Sequence, residues 1–421
     1  MLRSKWLIWL PALAAAWLFD FLFWNAQGGI NYPIWITILT ALALGLAHYQ
    51  GRKPAWPSYL LGALAVAFSV FTALRSEGLT VFLNGAAAFA SLALMCATLT
   101  TGNWPFYRLF DYILAGIKLV IAAFSRALTY RWPARPEAET PGWKKKASGW
   151  MAVLRGVLIA LPILAVLAAL LASADLVFAS RLGDLLELFK LERVPEYIFR
   201  LFYILVLSYL FSGVLLHALY PAKEEERPDP EKAWMNPFLG LTETVIVLGA
   251  VDLLFAFFVT LQFQYLFGGQ SNIKETGFTY SEYAVRGFTE LVLVAVLSIG
   301  LYLVLNTIAK RKSGGQALAF NGLAIALMLL VLVILASSFQ RLLMYENAYG
   351  FSQLRLYTHI FIIWLALLLV AAVALIAAGA PGRFGLALFC ALIGFTLTFA
   401  LINVDAFITR QNVNRALQGK P

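Results

Sequence analysis

Charge is what this sequence has least of. Only 13% of its 421 residues are Asp, Glu, Lys or Arg, and 61% are hydrophobic. A soluble globular chain carries about 25% charged and about 45–50% apolar residues. The shortage excludes an ordinary water-facing surface and leaves a lipid-facing one. Cysteine is also scarce. Cys96 and Cys390 each sit inside an apolar run, so they support no disulfide framework. The three histidines, His48, His217 and His359, are scattered and give no metal-ligand spacing. There is no phosphate-binding P-loop, no G-x-S-x-G elbow and no H-E-x-x-H. The largest gap between firm apolar runs is roughly fifty residues, too short for a soluble catalytic domain. ATP hydrolysis is excluded on these grounds, no cofactor or metal is expected, and a non-enzyme is favoured over an enzyme. A cleavable signal peptide is not expected either, because the first apolar run is too long and no small-residue cleavage pattern precedes Asn25.

What is present is a series of long apolar runs. A helix needs about 20 apolar residues to cross a bilayer, and eleven runs qualify: 6–24, 32–49, 56–74, 79–101, 151–172, 197–219, 240–267, 284–308, 317–342, 356–377 and 384–403. All should be helical, since an isolated strand leaves its backbone groups unsatisfied in lipid. The expected fold is therefore all-α, a polytopic helical membrane bundle. Residues 103–128 mix Arg108, Asp111, Lys118 and Arg126 into an apolar background. They read as an amphipathic helix lying on the membrane surface. The net charge of +10 is not a nucleic-acid signal, because the cations fall in short loops between spans. Arg52 and Lys53, Lys144 to Lys146, Lys223, Arg227, Lys232 and Lys310 to Lys312 share one side if the N-terminus is cytoplasmic. The C-terminus is then extracytoplasmic. The composition divides the chain into a four-helix section with its trailing surface helix (1–128), a basic cytoplasmic linker rich in Pro and charge (129–150), and a seven-helix section (151–421).

In this topology the later spans carry their polar groups at the outer end. Residues 173–196 read as an interfacial amphipathic helix. In "GFTYSEYAVRGFTEL", Glu282, Arg286 and Glu290 stack on one helix face at four-residue spacing, beside Tyr280 and Tyr283. An arginine at mid-membrane costs at least ~2.5 kcal/mol and needs partners. The stack is either an internal ion pair that fixes helix register or a site for an anionic group. Arg341 and Tyr345 are four apart, Glu346 follows, and Arg355 and His359 are again four apart across the turn "NAYG". Asp405 and Arg410 lie with Asn403, Asn412, Asn414 and Arg415 beyond the last span. These segments are expected to converge as one outward-facing polar cluster. Asp252 stands apart, near the middle of "IVLGAVDLLFAFF", where an acid is protonated, paired or used for ion or proton coupling. Asp20 reads as merely interfacial, and Asn84, Asn306 and Asn321 as contacts between helices.

The ordered pieces "QFQYLFGG", "GFTYSEYAVRGFTELV", "YENAYGFSQLRLY" and "NVDAFITRQNVNR" resemble the bacterial membrane family called domain of unknown function 4173 (DUF4173), a relative of the 4153 family. The resemblance covers roughly residues 180–415, and the first four spans carry no part of it. The family's stretch reads Tyr-Ala-Arg-Arg-Gly-Phe, where this chain has Val285 before Arg286, Gly287 and Phe288. A role needing two adjacent cations is therefore not implied. The resemblance implies a multi-pass protein of the bacterial inner membrane and supplies no activity or catalytic residues.

Three readings follow. The first is a binding protein of the cell envelope whose outward cluster takes a lipid, an envelope intermediate or a signalling partner protein, with membrane lipids around it and no nucleic acid. The second is a secondary transporter or lipid flippase that uses Asp252. The third is a membrane enzyme acting on lipid-linked or cell-wall substrates.

Overall fold

A computed structural model describes residues 6–130, 194–221, 236–266, 288–310 and 313–419, with scattered residues between 160 and 181. The chain is helical almost throughout these residues. In order, the helices are α1 (Trp6–Phe23), α2 (Asn31–Tyr49), α3 (Trp56–Leu74), α4 (Gly78–Thr98) and α5 (Leu109–Thr129). They continue with α6 (Val194–Leu219), α7 (Leu241–Leu266), α8 (Phe288–Ile308) and α9 (Gly314–Tyr349). Last come α10 (Gln353–Ala377), α11 (Phe384–Leu401) and α12 (Val404–Leu417). Among the described residues there is no strand, only an isolated bridge between Leu239 and Ala309.

Ten of these helices are long and apolar enough to cross a membrane, and a shorter apolar segment at Ile8–Phe23 accompanies them. The all-α, multi-pass bundle expected from composition is therefore the fold. α5 is one of the ten, although its charges suggested a helix lying flat. Ile113, Ile117, Val120, Ile121 and Phe124 are all exposed on it, and their three- and four-residue spacing keeps them on one face, the amphipathic pattern its charges suggested. The chain beyond the last span is also ordered as α12, a polar helix that the sequence reading left without a structure. The runs 151–172 and 173–196 and the linker 129–150 fall wholly or largely outside the described residues.

The chain divides into two compact units, Met1–Trp24 with Ala123–Leu216, and Asn25–Ala122 with His217–Pro421. In the second unit α9 is the central helix and packs against α7, α8 and α10. Its buried positions Phe320, Ala324, Leu327, Met328, Val331 and Leu335 recur every three or four residues, the helical period of a core-facing stripe. At about 1.5 Å per residue, 36 residues reach roughly 54 Å, well beyond a hydrocarbon core of about 30 Å. α9 is therefore long enough to extend past the apolar layer as unbroken helix, and its last turns carry Arg341, Tyr345 and Glu346.

The loops fix which helix ends share a side of this unit. Phe238 and Leu239 donate backbone N–H groups to the Ile308 carbonyl at 3.0 Å, and Lys310 returns one to Leu239 at 2.8 Å, which ties the start of α7 to the end of α8. At the other end Arg75, between α3 and α4, donates to the Ala400 carbonyl at 2.9 and 2.7 Å and to Leu401 at 3.0 Å. The close of α11 thus lies beside the α3–α4 connection. Ser313, Ser352 and Asn403 cap α9, α10 and α12 with their side chains, as Ser and Asn do at helix starts.

Candidate functional site

The end of the second unit that holds the α9–α10 turn gathers most of the polar side chains expected to converge. The turn itself rests on Gly350, whose φ of +78° suits glycine. Asn412 of α12 clasps the next residue, accepting from Phe351 N at 2.8 Å and donating to Phe351 O at 3.0 Å. Arg415, buried on the same helix, donates to the Asn347 carbonyl at 2.8 Å. Arg355 donates to the Tyr349 carbonyl at 3.0 Å and to that of Gly350. Two guanidinium groups therefore satisfy the carbonyls at the close of α9 and oppose the negative end of its dipole.

The other residues fall around this clasp. The Arg355 guanidinium lies over the Tyr345 ring at 4.2 Å, and Tyr345 packs on Tyr349 with ring centroids 5.0 Å apart. Ser337 and Arg341 both donate to Gln262 Oε1 of α7, at 2.6 and 3.2 Å. Glu346 and His359 are both buried, with Glu346 Oε2 3.7 Å from His359 Nε2. That distance is too long for a hydrogen bond. Glu346 Oε1 and His359 Nε2 make none within the protein, while the imidazole stands edge-on to Phe339 at 5.0 Å. Asp405 accepts from Gln353 Nε2 at 2.7 Å in an exposed position, and Arg410 is exposed.

The structure thus brings together Arg341, Tyr345, Glu346, Arg355 and His359, with Asp405 at the rim. The pairings differ from those that four-residue spacing suggested. Tyr345 meets Arg355 from the next helix, and His359 turns to Glu346. Arg415 and Asn412 hold the centre, where Arg410 had been singled out. Glu290 is exposed in the first turn of α8. Its proposed stack partners Glu282 and Arg286, with Tyr280 and Tyr283, lie outside the described residues. Asp252 sits elsewhere on α7, 8% exposed, on the buried stripe with Thr244, Leu248, Val259 and Gln262. Neither of its carboxylate oxygens has a hydrogen-bond partner.

A second polar network, within the first unit, escaped the sequence reading. Arg200 of α6 donates to both oxygens of Asp20 on α1, Nε to Oδ1 at 2.9 Å and Nη2 to Oδ2 at 2.5 Å. Tyr203 donates its hydroxyl to Oδ1 as well. Arg200 Nη1 stands 3.6 Å from Glu196, which accepts from Trp24 Nε1 at 2.7 Å. A cation inside the apolar run "YIFRLFY" was the available signal, because it demands an anion on a neighbouring helix.

Among the described residues no group of three or more His, Cys, Asp or Glu could hold a metal ion. No curated protein and no solved structure matches the chain. One family does match, over residues 60–421. It is the 4153 relative and not the 4173 family itself, and the match begins inside α3, so it takes in helices that carried no part of the resemblance. The chain, a multi-pass helical membrane protein, belongs to the family described as Domain of unknown function (DUF4153).

Proposed function

We propose that the chain is a binding protein of the bacterial inner membrane whose ligand docks at the end formed by α9, α10 and α12, facing outward. One observation carries this reading: Glu346 and His359 are buried side by side without satisfying each other. A buried carboxylate or imidazole left unbonded costs about 1–3 kcal/mol or more, so the pair has capacity for a third polar group. Arg355 and Arg415 already serve the α9 carbonyls, and they leave the surroundings cationic. The ligand that suits this setting carries a hydroxyl or amine for the Glu346–His359 pair and an anionic group for the arginine rim. A phosphate-bearing lipid or a lipid-linked envelope intermediate has both. Native mass spectrometry of the chain, gently extracted from its own membrane, is expected to find such a lipid retained. Its retention should fall at least tenfold in Glu346→Gln and His359→Gln. A stoichiometric partner protein in its place, or lipid retention equal in all three proteins, would overturn the reading.

A second reading rests on Asp252. Two unbonded carboxylate oxygens in an apolar stripe suit an acid that exchanges a proton or an ion during transport. Proteoliposomes holding the wild type are then expected to pass protons or alkali cations down an imposed gradient, and those holding Asp252→Asn are not. Equal flux in both would remove this reading and leave the first untouched.

A further inference from the structure

We infer that the buried oxygen atoms on the first turns of α4 form a binding site for a monovalent alkali cation. Glu77 stands immediately before α4, in the capping position, yet its side chain makes no capping hydrogen bond and is only 5% exposed. Thr80 and Asn84 follow at 0% and Ser91 at 1%. Steps of three, four and seven residues keep all four on one helix face. Glu77 Oε2, Thr80 Oγ1, Asn84 Oδ1 and Ser91 Oγ each lack a hydrogen-bond partner.

This is not how the other hydroxyls of these helices behave. Ser69 donates to the Val66 carbonyl at 2.7 Å, Thr72 to Ser69 at 2.7 Å, Thr40 to Ile36 at 2.8 Å and Thr98 to Leu94 at 2.8 Å. Bonding back to a carbonyl one turn earlier is the default for a hydroxyl on a buried helix. Thr80 and Ser91 forgo it. Asn84 shows the direction of the arrangement: its Nδ2 donates to the Thr80 carbonyl at 2.8 Å, which leaves the amide oxygen as the free end. What remains is a row of four unpartnered oxygen atoms, two acceptor-only and two hydroxyls that can offer lone pairs while turning their O–H away.

Oxygen-only donor sets suit hard cations. The charge selects the class. The row holds one carboxylate, so a monovalent ion leaves the site neutral, whereas a divalent ion would bury a net positive charge at a cost of several kcal/mol. The nearest arginine in sequence is committed elsewhere, since Arg75 donates Nε and Nη2 to Ala400 and Leu401. Reach sets the size. Glu77 and Asn84 are about 10 Å apart along the axis, with Thr80 between them, which the length of a glutamate side chain can close. Ser91 lies roughly 10 Å deeper and continues the row without sharing the same ion. α4 packs against α2, α3 and α11, and Tyr32 of α2 donates to the Gly85 carbonyl at 2.8 Å, so the row lies inside the bundle and not on its lipid face. The site is separate from the Glu346–His359 pair and does not depend on that proposal.

The test is thermal unfolding of the full chain in detergent, in sodium, potassium and N-methylglucamine chloride at equal ionic strength. Sodium or potassium is expected to raise the midpoint saturably over N-methylglucamine. Thr80→Val, a near-isosteric change, should require at least tenfold more cation for half the effect, and Glu77→Gln should abolish it. Ser69→Ala, which removes a hydroxyl already bonded to its own helix, should leave it unchanged. Equal midpoints in the three salts would mean that the row holds water alone and would overturn the proposal. So would a cation effect that Thr80→Val and Glu77→Gln leave intact. If Glu77→Gln does not fold, the wild-type comparison and Thr80→Val still decide.

Discussion

Asp20→Ala is expected to lower the melting temperature of the detergent-solubilised chain by several degrees and to loosen α1 from α6. The carboxylate accepts from three donors, two on Arg200 and one on Tyr203. Removing it leaves those donors facing a methyl group at a buried position. Asp20 is buried while the Arg200 side chain is 26% exposed, so the loss is that of the hydrogen bonds plus a partial penalty for donors left without their anion. The stacking of Arg200 over Trp24 at 5.1 Å and the Trp24 bond to Glu196 depend on the same guanidinium and should loosen with it. Arg200→Ala is expected to cost a similar amount, and the double variant little more than either single one. A double-mutant cycle reads this directly. Costs that simply add would show that Asp20 and Arg200 act independently and would refute the network.

How much of this was legible follows the same physics. The helical spans were, because lipid enforces long apolar runs and internal hydrogen bonding; Gln353–Ala377 could be read almost to its ends, while the run 317–342 stopped about two turns short of the end of Gly314–Tyr349. Arg341, Glu346, Arg355 and His359 flank the single turn between α9 and α10, so their nearness follows from chain connectivity. Their partners were not legible. A four-residue spacing shows which side chains share a face, but not that His359 lies beside Glu346 of another helix without bonding it, or that Arg355 turns back to the α9 carbonyls. α5 has the length and composition of a span and keeps its exposed apolar residues on one face, so the amphipathic character read from Arg108, Asp111, Lys118 and Arg126 stands beside its capacity to cross. Arg108 and Asp111 lie at the very start of that helix, where Asp111 accepts from the Arg108 backbone at 2.9 Å. Charges at a helix end are compatible with crossing. Asp20 is read alone as interfacial and Arg200 is passed over, although each has meaning only beside the other.

Gly394→Ala and Gly385→Ala are expected to destabilise the chain where helix propensity alone predicts a gain. Alanine is favoured over glycine in a helix by about 1 kcal/mol. At Gly394, however, an added Cβ would overlap the Trp364 ring of α10. That ring is held by a 3.0 Å bond from its Nε1 to Thr398 Oγ1. At Gly385 the Cβ would stand 2.7 Å from the Tyr107 carbonyl oxygen and from the Arg108 carbonyl carbon, where backbone meets backbone. Overpacking of this kind costs about 1–3 kcal/mol, occasionally more, enough to reverse the sign. The two sites should differ in how they are relieved. At Gly394 the obstacle is a side chain, so Gly394→Ala combined with Trp364→Leu should melt higher than Gly394→Ala alone. At Gly385 the obstacle is the turn entering α5, and no single side-chain truncation should restore the loss. Thermal melts of the four proteins, wild type included, separate these outcomes. Either alanine variant melting at or above wild type would show that α11 does not make the close approach its glycines permit.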